Sequence, residues 1–248
     1  MTTTDPGRVA ALWRYPVSSL AGQSMRDLFF GTGGAEGDRT YGLFDVGSGI
    51  VAAPDRNPAK WDRAPRIRAR LSGEEGLEVE IPGGGWLAAP DARSDRTISD
   101  YLGFEVRVRA YLDGRPQPAD GSTTAPRYRK APVHLLTTAS LARLKALHPV
   151  GDPDPRRFRP SILIDMPEIE GSFPESDWLG RRLAIGEAEL TVSDPCRRCG
   201  FTAIAQDGFD RDPDILRNIV RHNAHNFGVY CTVDRPGRIA LGEPMRFL

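Results

Sequence analysis

Lysine is nearly absent from this chain of 248 residues: only Lys60, Lys130 and Lys145 occur, leaving 30 of the 33 basic side chains as arginine. The 33 basic residues meet 33 acidic ones, so the formal net charge is zero. No basic field calls for nucleic acid or an anionic membrane surface, and neither is expected as a partner. Cysteine is scarce, and an odd total of three argues against a secreted disulfide framework. No apolar run approaches the ~18 residues a membrane-crossing helix needs. Met1 to Arg8 lacks the apolar core of a secretory signal. The expectation is a cytoplasmic protein, bacterial in style.

Several motifs are missing as well. The glycine cluster Gly31 to Gly37 lacks the Gly-x-Gly-x-x-Gly spacing and no helical pattern follows it, which argues against a dinucleotide site. No Gly-x-Ser-x-Gly, His-Glu-x-x-His or phosphate-loop motif occurs, nor any internal repeat.

What remains is an ordinary globular composition, 40% hydrophobic and 27% charged, long enough to bury a large core. Residues 9–15, 28–30, 38–45, 67–71, 77–81 and 105–112 read as short strands with turn residues between them. Residues 97–102 read as a helix capped by Ser94 or Asp95. Residues 113–130 are rich in Pro, Gly, Arg and Ser and read as a linker. Beyond it, residues 133–136, 162–164, 227–233, 238–241 and 245–248 read as strands, as do two segments bracketing the turn at 185–188. Residues 141–147 and 213–222 read as helices, the first hydroxyl-capped and the second with proline in its first turn. The fold class is therefore mainly β (α+β). Residues 1–130 form a barrel-like N-terminal part with the linker, and residues 131–248 form a second domain with a few peripheral helices.

The chemistry concentrates in Asp194-Pro195-Cys196-Arg197-Arg198-Cys199-Gly200-Phe201-Thr202. Pro195 is expected to end a strand and Gly200 to free the backbone, placing Cys199 on a tight turn before a further strand over 201–205. Arg197 and Arg198 favour thiolate over thiol, the form that ligates metals or attacks sulfur. Local chemistry alone leaves two readings open: a reactive thiol, or two incidental cysteines on a turn. Zinc held by Cys196, Cys199, His222 and His225 is disfavoured by the ligand spacing. A thioredoxin-type dithiol is disfavoured because a strand, not a helix, is expected to follow. His134, among apolar neighbours, reads as a satisfied core histidine, and Trp13, Trp61, Trp86 and Trp178 as packing residues.

Ordered segments along the whole chain carry a resemblance. They are Leu12-Trp13-Arg14-Tyr15-Pro16-Val17-Ser18-Ser19-x-x-Gly22, Gly37-Asp38-Arg39-x-Tyr41-x-Leu43-x-Asp45, Leu135-Leu136-Thr137-Thr138-Ala139-Ser140-Leu141 and Arg157-Phe158-Arg159-Pro160-Ser161. Further on come Trp178-Leu179-Gly180, Cys196-Arg-Arg-Cys199-x-x-Thr202, Gly228-Val-Tyr230 and Pro236-Gly-Arg-x-x-x-Gly242. Together they resemble the MOSC family, with its N-terminal β-barrel, which includes molybdenum cofactor sulfurase C-termini and amidoxime-reducing components. The resemblance implies a MOSC β-barrel and a molybdenum cofactor (molybdopterin) between the two parts. The metal would be bound by Cys199, also the catalytic residue. Ser18, Ser19, Arg39, Thr138, Arg159, Ser161, Arg198 and Thr202 would surround the cofactor, with Ser19, Arg39 and Arg159 at its phosphate.

Three positions depart from the family pattern: Ser18 stands for a lysine, Ala53-Pro54-Asp55 for an Ala-Lys segment, and Ser161 for an asparagine. The implied function is a molybdenum-dependent oxidoreductase removing oxygen from N-hydroxylated or similar small substrates. No flavin, haem or iron–sulfur motif is present, so a separate electron-donor protein is implied. Two rivals are a metal-free sulfur carrier using a Cys199 persulfide and a reassigned pocket acting on another anionic metabolite.

Overall fold

The computed structural model describes residues 7–73, 76–111, 132–168 and 171–248. The expected linker at 113–130 lies outside the described residues. Seven strands close into a barrel. Around its circumference run Ile162–Asp165, Val133–Thr137, Asn226–Arg235, Ala188–Arg197, Arg182–Ile185, Pro244–Phe247 and Gly7–Arg14, which pairs back onto Ile162–Asp165. Only Val133–Thr137 and Ile162–Asp165 run parallel among these pairs, and the helix Thr138–Leu147 makes their crossover.

The first strand of the chain thus completes a barrel whose other strands come from residues 133–247. Val9 faces Ile164 on one side, and Gly7 faces Met245 on the other. Leu12, Leu135, Ile162, Leu183, Leu190, Val229 and Met245 are buried together inside the barrel. The burial pattern of Gly7–Arg14 begins as a strict alternation and becomes continuous at Leu12 and Trp13. There the strand is covered on both faces, because Trp13 and Tyr15 join a second apolar cluster around Phe158 and Phe227.

The strands between residues 41 and 110 form a two-stranded ladder, Tyr41–Asp45 with Val106–Ala110, and a three-stranded sheet of Arg68–Ser72, Gly76–Glu80 and Leu87–Ala89. They enclose their own core of Leu43, Trp61, Ile67, Val79, Ile98 and Val108. A third small sheet joins Asp27–Gly31 to Gly34–Ala35 and to Gly237–Ala240, so the two parts of the chain are stitched together twice.

The helices differ from expectation mainly at their starts. The helix expected at 97–102 begins at Ala92, because Asp91 caps it by accepting from Arg93 N at 2.7 Å. Asp95 lies inside the helix and instead accepts the Val108 N–H at 2.9 Å, tying helix to strand. The helix expected at 141–147 begins at Thr138, since Thr137 Oγ1 accepts from Ser140 N at 3.1 Å. Pro213–Asn223 is capped by Asp212 as the sequence indicates. Among the described residues, no helix is long and apolar enough to cross a membrane.

Candidate functional site

Near the cysteines the structure departs from the sequence reading in two ways. The strand Ala188–Arg197 does not stop at Pro195 but continues through it, with irregular register between Val192 and Asp194 and again between Pro195 and Arg197. Bulges accommodate a residue that cannot donate to the ladder. No strand follows at 201–205. Cys199 instead heads a 3₁₀ turn, Gly200–Ala203, and Thr202 donates from both N and Oγ1 to the Cys199 carbonyl, at 3.3 and 3.1 Å. The local hydrogen bonds of this turn satisfy the backbone, so residues that alternate like a strand need no ladder partner.

None of the three cysteines, all among the described residues, forms a disulfide. Cys199 is half-buried and lines an open cleft of about 790 Å³ together with Ser18, Ser19, Arg39, Asp55, Arg159, Arg197 and Arg198. Four arginines and one aspartate therefore line it, and the cleft favours an anion.

Arg39 and Arg159 reach this place from segments 120 residues apart, and each is brought there by backbone bonds. Tyr15 N donates to Asp38 Oδ1 at 2.7 Å, while Arg39 N donates back to the Tyr15 carbonyl at 2.7 Å. Ser18 N donates to Tyr41 O at 2.9 Å, so the serine turn lies beside the Asp38-Arg39 segment. Ser19 Oγ donates to Ala52 O at 2.8 Å, which draws in the segment that carries Asp55. The turn needs Gly22: a Cβ there would come within 2.5 Å of both the Arg14 carbonyl and the Tyr15 ring. Arg39 also pairs with Asp38, and Arg159 donates to the Leu20 carbonyl. Both guanidiniums pack against the Tyr15 ring, at 5.2 and 4.1 Å from its centroid.

Five described non-glycine residues have positive φ, and three of them are Ser19 (68°), Arg39 (51°) and Arg159 (55°). Left-handed backbone costs such residues about 1–2 kcal/mol each. Its concentration at the three expected phosphate-binding positions is the pattern of strain stored at a ligand site.

Cys196 differs sharply from Cys199, being 0% exposed. Arg198 Nη1 donates to its Sγ at 2.8 Å, and Arg198 Nη2 donates to Phe158 O at 2.7 Å. Burial by itself would push the Cys196 thiol up. The Arg198 charge, with His134 and Tyr230 as hydrogen-bonding neighbours, outweighs it and holds the thiol below its ordinary value. His134, expected as an ordinary core histidine, is buried but lines the cleft. It stands opposite Tyr230 in the ladder with ring centroids 5.8 Å apart. Gly228 permits this arrangement, because a Cβ there would lie 2.4 Å from His134 Nε2.

Three expected site residues are not among those lining the cleft. Thr138 holds the first helical turn to the end of a barrel strand, donating to Asp165 Oδ1 at 3.0 Å and accepting from Met166 N at 3.0 Å. Ser161 is fully buried between strands, its N–H donating to His134 O at 2.8 Å. Thr202 acts through the Cys199 carbonyl. Phe158, Phe201 and Tyr230 line the cleft without having been singled out, as apolar or aromatic strand and turn residues look alike in sequence whether or not they face a cavity. Among the described residues no group of three or more His, Cys, Asp and Glu side chains is placed to hold a metal ion.

The family model for the MOSC domain matches residues 114–246, more than half of the chain. The chain belongs to the MOSC family. Within it, the molybdenum cofactor sulfurase of Anopheles gambiae is 35% identical over 79 residues, 31% of this chain and 10% of the relative. That of Drosophila pseudoobscura pseudoobscura is 34% identical over 76 residues, 30% of this chain and 9% of the relative. This MOSC protein thus spans only about a tenth of the length of these curated relatives. Among solved structures, the YuaD protein from Bacillus subtilis is similar over 97% of this chain and 94% of its own, with 14% identity and a TM-score of 0.48.

Proposed function

We propose that this MOSC protein binds the molybdenum cofactor in the arginine-lined cleft, with the Cys199 sulfur as metal ligand, and acts as an oxidoreductase on small N-hydroxylated or similar substrates. The observation that carries the reading is the convergence of the Cys199 turn, the Ser18-Ser19 turn, Arg39 and Arg159 on one cleft. The residues fit such a group. A thiolate suits a soft metal, and the lack of a multi-ligand cluster among the described residues means that a metal at Cys199 has to bring most of its ligands with it, as a pterin-borne metal does. The bidentate forks of Arg39 and Arg159 suit the cofactor's phosphate.

When bound, the cofactor supplies two-electron oxygen-atom removal at the metal. The chain's own residues bind and orient. Thr202 fixes the Cys199 carbonyl and so the backbone that carries the thiol. Arg198 is pinned by Cys196 and Phe158 O, which keeps a positive charge at the cleft wall next to Cys199. Asp55 and Ser18, where the family pattern has lysines, reduce the net positive charge and trim the grip on phosphate. Electrons come from a separate donor protein.

The experiment is expression in a host that makes the cofactor, followed by molybdenum analysis per chain. Wild type retaining metal and Cys199→Ala losing it supports the reading. Wild type without metal but with cyanolysable sulfur on Cys199 replaces it with a sulfur carrier, the alternative that the sulfurase relatives favour. Neither metal nor labile sulfur points to a pocket reassigned to another anionic metabolite.

A further inference from the structure

Asp55 is the one carboxylate among the residues that line the cleft, and none of the four arginines there pairs with it. It is half-buried, and both of its oxygens are accessible. Among the described residues its carboxylate has no hydrogen-bond or ion-pair partner. Nothing in the fold accounts for an open carboxylate at this place.

The backbone fixes where that carboxylate stands. Ser19 Oγ and Ala52 N hold the segment at both faces, donating to Ala52 O and Leu43 O, each at 2.8 Å. Arg56 N and Asn57 N both donate to Ala53 O at 3.0 Å, closing a tight turn around the buried Pro54 and Asp55. This turn packs on the one that follows Cys199. A Cβ on Gly200 would lie 3.6 Å from Asp55 O and 3.9 Å from the Asp55 Cβ. Asp55 and Cys199 are thus carried by two touching turns that line the same cleft.

The positive charges of the cleft are engaged elsewhere. Arg39 pairs with Asp38, and Arg198 donates to Cys196 Sγ at 2.8 Å. Arg197 is exposed, where water and salt screen it. Arg159 lies 4.1 Å from the Tyr15 ring centroid, and the cofactor phosphate proposed above would match its charge. What stays unmatched beside the Cys199 turn is the negative charge of Asp55.

We propose that Asp55 selects the molecule that reaches Cys199 by binding a cationic nitrogen group of the amidinium or guanidinium kind. Two N–H bonds of such a planar cation meet the two carboxylate oxygens in the bidentate manner of an Arg–carboxylate pair. A neutral group forfeits the charge, and an anionic one is repelled. The proposal deepens the reading of this cleft, and rests on it only in calling the ligand a substrate. Asp55 then sets specificity, besides lowering the charge that the cofactor phosphate meets.

The test is titration calorimetry on the full chain purified from a cofactor-making host. Benzamidine and benzoate are the probes, since they share a ring and differ in the sign of their charge. Phosphate buffer occupies the Arg39 and Arg159 positions whether or not the cofactor is retained. Wild type should bind benzamidine more tightly than benzoate. Asp55→Asn keeps the shape and removes the charge, and should weaken benzamidine about tenfold. Because Asp55 holds no partner in the fold, this variant should melt with the wild type. Benzamidine binding that is absent from wild type, weaker than that of benzoate, or unchanged in Asp55→Asn overturns the proposal. Molybdenum per chain is measured on the same preparations. Metal without benzamidine binding strikes this proposal alone. Benzamidine binding that depends on Asp55, in a chain without metal, strikes the oxidoreductase reading and leaves the cation site.

Discussion

Arg198 reaches the sulfur of Cys196: its Nη1 lies 2.8 Å from the buried Sγ. Two cysteines that look equivalent in sequence are thereby given different work. Cys196 becomes the counter-charge that fixes a guanidinium at the cleft wall, and Cys199 lines the cleft. In the native protein a thiol reagent should modify Cys199 first, with Cys196 and Cys231 reacting only on unfolding. Mass spectrometry of tryptic peptides after a short exposure to iodoacetamide checks this, and rapid native labelling of Cys196 would contradict it.

The Cys196–Arg198 contact also has a pH signature. Because the folded thiol is held below its ordinary value of 9.0, the folded state releases the proton before the unfolded chain does. The contribution to stability is fully present above about pH 9, and it is lost as pH falls through the lowered folded value. Metal-free protein should therefore gain stability as pH rises through that window. Cys196→Ser should flatten the gain, measured by urea denaturation at a series of pH values.

Glu175 has the opposite sign. It is 1% exposed, accepting from Ser140 Oγ at 2.6 Å and Thr137 Oγ1 at 2.9 Å, and burial raises its pKa against these two donors. Its neutral form adds stability below the ordinary 4.5, and that contribution is lost as pH rises through the raised value. Glu175→Gln keeps the acceptor without the charge, so it should melt at or above the wild-type temperature at pH 7 and below it at pH 4. Calorimetry at the two pH values decides.

Gly228 has φ 78°, and a Cβ there would meet His134 Nε2 at 2.4 Å and Leu135 O at 2.7 Å. Backbone cannot yield as a flexible side chain can, so Gly228→Ala should cost about 2–4 kcal/mol. A loss under about 1 kcal/mol in equilibrium unfolding would show that the strand relaxes around it.

For the anion site, Arg159→Lys keeps the charge but loses the planar fork and the stack on Tyr15. Retained molybdenum should fall about tenfold after expression in a cofactor-making host. Ser18→Lys with Asp55→Lys should act in reverse and raise metal per chain, because both residues line the cleft and both changes add positive charge. A double variant with unchanged content would remove these two positions from the account of cofactor affinity.

Much of the architecture was legible in the sequence because its signals are local. Apolar segments marked residues 9–15 and 227–233 as strands, observed as Gly7–Arg14 and Asn226–Arg235, and proline with an acidic cap marked residues 213–222 as a helix, observed as Pro213–Asn223. The Cys-Arg-Arg-Cys spacing and the Arg39 and Arg159 segments were visible as motifs. Where local signals competed, the reading failed: Pro195 looked like a stop, and residues 201–205 looked like a strand. Bulges and a 3₁₀ turn satisfy the backbone there in ways that residue type alone does not announce.

The sequence by itself determined the residue types, their order and the family to which the chain belongs. Only the tertiary structure decided that Gly7–Arg14 closes a barrel built otherwise from residues 133–247, that Cys196 is buried against Arg198, and that His134 lines the cleft. These outcomes depend on pairings across more than 90 residues, or on which of two nearby sulfurs is desolvated. Such choices are made by strand register and by the burial of whole faces, and a chain read one residue at a time carries no record of them.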